Sequence, residues 1–272
     1  MSVMDVTNET AAEPDRFLLN TWASIYQTFG EDDLITFFFG TIIVTSAAFY
    51  GTNGFFMILD LAKMPKFLYK YKIQSDKQVE MRKLRKALRQ AAINQILVSL
   101  PAFVAWYYIA KWRGCSCGYD VPSGWEIVRD LVVILAVEEI GFYYTHRMWH
   151  HPIFYQKIHK LHHEWTAPIG IVAVYLHPLE YFVSGVMVAL AGPIIMGSHM
   201  LTSWIWLFAG VIATTVHHSG YSFPGPLRHT TEFHDFHHLK YNYCYGVFGI
   251  LDYIHGTDTL YRKSTKDKRK SL

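Results

Sequence analysis

The first 145 residues of the chain contain no histidine, although the 272-residue sequence carries fifteen. All fifteen lie between His146 and His255, and chance does not segregate one residue type in this way. Any chemistry that depends on imidazole is therefore confined to the second half of the chain.

Cysteine is scarce as well, with only Cys115, Cys117 and Cys244. Three cysteines provide no disulfide framework, so the fold must be stabilised by other means. The Cys115-Ser-Cys117 pair is either a metal half-site, a lumenal thiol pair or structural. We favour the structural interpretation, because no partner cysteines accompany the pair.

Positive charge is nearly absent from the first 33 residues, which hold seven acidic side chains against Arg16 alone. With no basic n-region and no early apolar core, we expect no cleaved signal peptide. The sequence also lacks a Gly-rich nucleotide-binding motif. It contains no internal repeat and no low-complexity tract apart from a short basic tail.

What the sequence has in abundance is apolar surface, with 51% hydrophobic and 16% aromatic residues. That content exceeds what a soluble domain usually carries and indicates a membrane protein. The apolar segments run over residues 34–61, 91–110, 127–144, 175–196 and 200–216. We predict an all-α integral membrane helical bundle of about four to five transmembrane or hairpin segments, carrying a cytosolic histidine-rich dimetal cap.

The charge distribution predicts the orientation of this bundle. Residues 63–89 carry ten Lys or Arg against Asp76 and Glu80, and such basic loops stay in the cytosol. The acidic residues 1–33 are then lumenal, and the even number of later crossings returns every histidine cluster to the cytosolic face. The predicted regions are 1–33, the lumenal N-terminus; 34–126, the N-terminal transmembrane region with its basic loop; 127–261, the histidine-box domain; and 262–272, a basic cytosolic tail.

Three histidine clusters stand in this domain, reading HRMWH, HKLHH and HDFHH. Spacings of three and four residues place imidazoles on one face of a helix or helical turn, where neutral ring nitrogens can converge on a metal. Eight imidazoles exceed what one ion needs, so we predict two metals sharing one site. The predicted ligands are His146, His150, His159, His162, His163, His234, His237 and His238.

Other side chains are candidates for supporting roles. His218 in HHSGY and His177 in LHPLE are further ligand candidates. Ligating imidazoles usually donate their other N–H to a carboxylate or carbonyl group. The carboxylates we predict for that role are Asp235, Glu138, Glu139, Glu164 and Glu180. The histidines that we expect to be structural or on the surface are His151, His199, His217, His229 and His255.

The ligand set alone does not choose the metal, because imidazole suits iron, zinc, copper and nickel. A polynuclear site at the mouth of a membrane bundle can meet a lipid arriving from hydrocarbon, where iron would activate dioxygen to attack an unactivated C–H bond. Zinc-assisted hydrolysis is the alternative, since zinc accepts the same ligands. The number of histidines favours two iron ions, although zinc could occupy the site in purified protein.

The three clusters, in this order, resemble the histidine boxes of the membrane fatty acid hydroxylase and sterol desaturase superfamily. The segments IHKLHHEWTAPIG, YLHPLE, HHSGYSFP and LDYIHGTD resemble those of the C4-methylsterol oxidases. This resemblance implies an endoplasmic reticulum enzyme with a diiron centre that uses dioxygen. It also implies electrons from NAD(P)H through cytochrome b5 or its reductase.

The resemblance also bears on the substrate. It implies a monooxygenase of sterol biosynthesis that oxidises a C4-methyl group, with a fatty acyl lipid as the alternative substrate. A third hypothesis is a membrane protein that regulates partners and keeps the metal site for structure. No nucleic-acid partner is expected.

The chain ends in Lys268-Arg269-Lys270-Ser271-Leu272, with lysines three and five positions from the end. This ending resembles the dibasic retrieval signal of endoplasmic reticulum membrane proteins. The alternative is a basic juxtamembrane tail that follows the positive-inside rule and attracts the anionic leaflet.

Overall fold

In the computed structural model, which describes residues 13–270, the chain is almost entirely helical and forms no β-strand within that range. The predicted all-α architecture is confirmed. Residues 1–12 of the acidic N-terminus and residues 271–272 of the tail lie outside the described part. The α-helices are α1 (Glu13–Thr28), α2 (Asp33–Ala62), α3 (Lys66–Tyr69), α4 (Met81–Asn94), α5 (Leu100–Arg113), α6 (Gly124–Trp149), α7 (Pro152–Tyr155), α8 (Pro178–Glu180), α9 (Val188–Met196), α10 (Met200–His218), α11 (Arg228–Lys240), α12 (Ile250–His255) and α13 (Thr259–Lys270).

Four helical stretches are long and apolar enough to cross a membrane. They are α2, the continuous stretch Met81–Arg113, the stretch Pro178–Met196, and α10. Helix α2 begins after Asp32, whose side chain accepts a hydrogen bond from the backbone N–H of Ile35, and ends at the left-handed Lys63. The first and last predicted segments, 34–61 and 200–216, agree with α2 and α10 to within two residues.

The second span begins earlier than the sequence indicated. Helix α4 starts at Met81, inside the stretch predicted as a basic loop, so the loop proper covers residues 63–80. Leu84, Ala87 and Ala91 are buried at helical spacing while the basic side chains between them face outward, and this pattern stabilises the helix. A π-helical turn, Gln95–Ser99, joins α4 to α5 just before Pro101. A π turn there accommodates the missing backbone donor of proline.

The fourth segment starts later than predicted. Residues 175–177 are not helical, and the helix begins at Pro178, continues through the π-helical stretch Tyr181–Met187 and ends at Met196. Proline disfavours helical conformation in the residue before it and suits the first helical position. Before it lie two 3₁₀ helices, His159–Glu164 and Gly170–Val174.

Helix α6 contains the predicted segment 127–144, yet its four charged residues keep it out of the set of apolar spans. It must nevertheless run the length of the bundle. The loop 63–80 contacts the histidine-bearing segments, with Ile73 N donating to Gly220 O (2.9 Å) and Gln74 Nε2 donating to Thr166 O (2.9 Å). Since Met81–Arg113 carries the chain away from that end, α6 is the helix that brings it back.

The apolar core lies at the opposite end of the bundle, where α1 packs on α5 and α10. Trp22 is fully buried, with its ring centroid 5.2 Å from that of Trp204. Its indole N–H faces the carbonyl oxygens of Cys117 (3.1 Å) and Gly118 (2.9 Å), which fixes the turn before α6. Cys117 is buried and unpaired, in keeping with the predicted structural role.

Candidate metal centre

Nine imidazoles form two adjacent groups at the end of the bundle that holds the loop 63–80. In each group the candidate ligand nitrogens all lie within 4.8 Å of one another. The first group contains His146, His150, His159, His163 and His237. The second group contains His162, His218, His234 and His238. Eight of these are the predicted box histidines, and the ninth is the additional candidate His218.

The two H-x-x-H-H boxes divide their histidines between the groups in the same way. In each box the two histidines four residues apart stay together, while the histidine three residues after the first joins the other group. His159 and His163 belong to the first group and His162 to the second, whereas His234 and His238 belong to the second and His237 to the first. One helical turn thus supplies ligands to both groups, because neighbouring side chains on it point to different sides.

Carbonyl oxygens orient several of the rings through Nδ1. Nδ1 of His146 lies 2.7 Å from Tyr245 O, and Nδ1 of His237 lies 2.7 Å from Tyr243 O. Corresponding contacts join His238 to Trp165 O (2.9 Å) and His218 to Thr214 O (2.8 Å). A carbonyl oxygen can only accept, so Nδ1 carries the proton and the Nε2 lone pair is left free.

The loop that supplies two of these carbonyls is itself held by carboxylates. Asp252 accepts from the backbone N–H groups of Tyr245 (2.8 Å) and Gly246 (2.7 Å). Glu139, which is buried on α6, accepts from four backbone N–H groups of the same loop, those of Val247, Phe248, Ile250 and Leu251. Glu139 therefore holds the backbone of the loop that carries the carbonyl groups, whereas the sequence predicted that its carboxylate would accept a hydrogen bond from an imidazole.

The other predicted carboxylates are used differently. Glu180 contacts His159 Nδ1 through a short hydrogen bond between two buried side chains. Glu164 points away, accepting from Lys86 (2.9 Å) and from Tyr175 (2.7 Å). Asp235 accepts from Gln74 (3.1 Å), which connects α11 to the loop 63–80. Glu138 accepts no hydrogen bond from an imidazole within the described residues and lies in a cavity wall.

His177 is not brought into either group. Its Nδ1 accepts from the backbone N–H of Leu179 (3.2 Å) and caps the helix that starts at Pro178. His151 and His199 cap helices in the same way, and His255 stacks on Tyr143, which agrees with the structural roles we expected. His217 is buried, and its Nε2 has no hydrogen-bond partner among the described residues.

Burial keeps these imidazoles neutral. Removal from water, together with the neighbouring rings, holds the pKa of six of them well below the ordinary 6.5. These six lie outside the membrane-spanning helices and are His159, His162, His163, His234, His237 and His238. Neutral rings keep the lone pair that a metal requires.

The donor set fits two metal ions. Nε2 of His159 lies 2.8 Å from Nε2 of His150 and 2.9 Å from that of His163. In the second group, Nε2 of His234 lies 2.8 Å from Nε2 of His218. Where Nδ1 holds the proton, facing lone pairs repel one another unless a cation lies between them. Imidazole-only groups of this kind suit iron or zinc.

A cavity of about 560 Å³ leads from between the helices to the two groups. Its walls are mostly apolar, and α2, the π-helical turns, α6 and α10 all contribute to them. Five of the candidate ligands line its inner end, namely His146, His159, His162, His218 and His234. The volume of this cavity and its apolar lining suit a small lipid-like molecule.

The carbonyls of Tyr243, Tyr245, Trp165 and Thr214 were missing from the sequence-based site. Every residue carries a backbone carbonyl, so no side-chain pattern could have marked these four. The acidic residues Glu139 and Asp252 were the only sequence signal for the loop that holds two of them, and Asp252 lies inside the LDYIHGTD segment.

Comparison with known proteins places these features among membrane oxygenases. Residues 131–257 match the model of the fatty acid hydroxylase family. Human fatty acid hydroxylase domain-containing protein 2 is 41% identical over 253 residues, covering 92% of this chain and 75% of that protein. A putative methylsterol monooxygenase of Dictyostelium discoideum is 34% identical over 264 residues, covering 93% of this chain and 95% of that one.

A fatty acid hydroxylase of Mycosarcoma maydis is 34% identical over 215 residues, covering 79% of this chain and 56% of that protein. No solved structure matches the chain.

Proposed function

The chain belongs to the fatty acid hydroxylase family, as its histidine boxes predicted, and on that premise we propose that it is a diiron, dioxygen-dependent monooxygenase of a membrane lipid. The substrate that we propose is a sterol intermediate whose C4-methyl group is oxidised. The putative methylsterol monooxygenase of Dictyostelium, which aligns with nearly the whole chain, supports this choice.

One observation carries the proposal: two groups of neutral imidazoles lie at the inner end of an apolar cavity. An apolar cavity suits a lipid better than a polar substrate, and hydrolysis would need only one or two ions with three or four protein ligands each. Nine imidazoles gathered in two adjacent groups suit two redox metals held close together.

The residues of this chain have separate tasks in the reaction. His146, His150, His159, His163 and His237 would hold one ion, and His162, His218, His234 and His238 would hold the other. When bound, the two ions supply the activation of dioxygen. Glu180 keeps His159 in the tautomer that ligates through Nε2, and the apolar walls exclude water and present the substrate methyl group to the histidine end.

The electron donor and the cellular location complete the proposal. Electrons come from NAD(P)H through cytochrome b5 or its reductase, which approach the cytosolic face. The protein resides in the membrane of the endoplasmic reticulum, with its histidine end towards the cytosol.

Lipid profiling of cells that lack the protein tests the reaction itself. Accumulation of 4-methylsterols, reversed by the wild-type chain but not by His163→Ala, is the expected result. Loss of hydroxylated fatty acyl lipids, with sterols unchanged, would establish the fatty acyl alternative instead. If neither lipid class changes, the chain acts through partners and the enzymatic proposal is wrong.

A further inference from the structure

The carboxyl group of Glu138 lies in the wall of the cavity without a protein partner. Its Oε2 is buried and accepts no hydrogen bond from the described residues. A carboxyl group in apolar surroundings is costly unless another polar group pairs with it. A conformation that leaves it unpaired therefore points to a ligand that supplies the missing hydrogen bond.

Several other polar side chains of the wall have hydrogen-bond partners within the protein. Ser99 and Tyr181 share a hydrogen bond of 2.8 Å, and Ser184 accepts from the indole N–H of Trp149 at 2.6 Å. Two further wall groups have an unpaired atom, Glu180 Oε2 and His217 Nε2. Both adjoin the metal centre, since Glu180 bonds His159 and His217 precedes a candidate ligand.

The contrast with the next residue is direct. Both carboxylate oxygens of Glu139 accept hydrogen bonds from backbone N–H groups of residues 247–251, so neither oxygen is left unpaired. Glu138, one residue earlier on α6, faces the cavity, where no such groups reach it. Adjacent carboxylates on one helix thus serve two different environments.

The position of Glu138 relates it to the reacting end of the cavity. Glu138, Phe142 and His146 follow one another at intervals of four residues and all line the cavity. Two helical turns separate Glu138 from His146, about 12 Å between their Cα atoms along the axis. Both side chains tilt towards the N-terminal end of the helix, so about the same length separates the carboxyl group from the imidazole. One hydrogen bond, the bond from the imidazole to a metal ion and the gap between that ion and the reacting carbon would occupy most of it, so only a few bonds of substrate fit.

We propose that Glu138 is a substrate-binding residue that accepts a hydrogen bond from a hydroxyl group of the lipid, a few bonds from the oxidised carbon. This inference rests on the proposed function and deepens it. In a 4-methylsterol the 3-hydroxyl group stands on the carbon next to C4, which satisfies the spacing. A fatty acyl lipid without a hydroxyl group near the oxidised carbon would leave Glu138 unpaired.

Binding measurements on the full chain in lipid nanodiscs test the proposal. The probes are a 4-methylsterol with a free 3-hydroxyl group and its 3-methyl ether, which cannot donate a hydrogen bond. The wild-type chain should bind the alcohol about 2- to 10-fold more tightly than the ether, the size expected of a hydrogen bond between uncharged groups. In Glu138→Leu this ratio should fall to near one, and in Glu138→Gln it should be intermediate, because an amide oxygen still accepts.

Glu126→Gln is the matched control. Glu126 lies on the same helix, outside the cavity, where it forms a capping box with Ser123 that glutamine also supports. Its ratio of affinities should equal that of the wild-type chain. Equal ratios in Glu138→Leu and the wild-type chain would overturn the inference.

Thermal melting separates binding from a structural role. Glu138→Leu removes a buried unpaired carboxyl group, so its melting temperature should be equal to or higher than that of the wild-type chain. A clearly lower melting temperature would show that Glu138 supports the fold, which would also overturn the inference. Failure of the proposed function has a different signature, since the wild-type chain itself would then bind and oxidise neither sterol, and the inference would fall with it.

Discussion

The tautomer of five of the nine imidazoles is decided by a single contact on the outer nitrogen. His146, His218, His237 and His238 donate from Nδ1 to backbone carbonyls, and His159 faces Glu180. These partners hold the rings so that Nε2 points into the group before any ion arrives. Pre-orientation of this kind lowers the cost of assembling a metal site.

Removing one ligand should remove one ion. His163→Ala deletes a buried imidazole of the first group and should lower the metal content from two ions per chain towards one, with turnover lost. Elemental analysis of the purified protein, alongside an activity assay, measures both. Two ions in the variant would contradict the assignment.

His199→Ala is the matched control for that prediction. Nδ1 of His199 accepts a hydrogen bond from the backbone N–H of Leu201 (3.1 Å) and caps α10. His199 belongs to neither histidine group. Loss of such a cap costs about 1 kcal/mol of stability. We therefore expect a lower melting temperature with an unchanged metal content.

At the scale of elements, α6 joins two environments. Its buried residues include Asp130 and Glu139, while the apolar side chains of Val128, Val132 and Ile140 are more than half exposed. Charged residues inside and apolar residues outside are the arrangement that a helix needs in lipid. A hydropathy average taken around the whole helix conceals this difference between its faces.

Helix α6 should therefore cross the membrane and complete five crossings. A glycosylation site inserted into residues 114–123 should be modified in the lumen, and one inserted into residues 63–80 should stay unmodified. The physical reason is that the loop 63–80 contacts Gly220 and Thr166, which lie beyond α6 in the chain. Modification at 63–80 alone would reverse the orientation that the charges predict.

Helix α4 anchors the segment that carries the second box towards the membrane. Asn94 is fully buried and donates from Nδ2 to Val174 O (2.9 Å) and Leu176 O (2.9 Å). Asn94→Leu leaves both carbonyls without this donor and should cost roughly 2 kcal/mol or more. Thermal melting in detergent measures the loss.

Gln90→Ala serves as the comparison. Gln90 also donates to Leu176 O (3.1 Å), but it is partly exposed and that carbonyl keeps its bond to Asn94. A smaller loss of stability is therefore expected. Equal losses in the two variants would show that the buried amide has no special role.

For the whole molecule, the metal ions should stabilise the fold as well as serve the chemistry. The buried rings are neutral, with Nε2 lone pairs as close as 2.8 Å, so removal of the cations leaves repulsion in the interior. A chelator should lower the melting temperature, by the equivalent of about 3 kcal/mol for ions present at 100 times their dissociation constant. Restored iron should reverse the change, and an unchanged melting temperature after proven metal loss would contradict this account.

The sequence by itself predicted the four long apolar helices of the described residues and the eight box histidines that the fold gathers into two groups. Hydropathy and histidine spacing are local patterns, and helical geometry converts spacing directly into a shared face. The hydropathy pattern did not locate the start of the fourth span at Pro178 or the start of α4 at Met81. The fourth span begins at Pro178 because proline suits the first helical position, and α4 begins at Met81 with an amphipathic, basic turn that is not apolar on average.

Only the tertiary structure decided which histidines lie in the same group, that His177 caps a helix, and that Glu138 and Glu139 face different surroundings. These outcomes depend on partners distant in the chain, such as Tyr245 O, which is 99 residues from His146. A backbone carbonyl has no side-chain signature, and a cavity exists only where several helices leave space between them. Packing brings such groups together, so no local sequence pattern can predict these contacts.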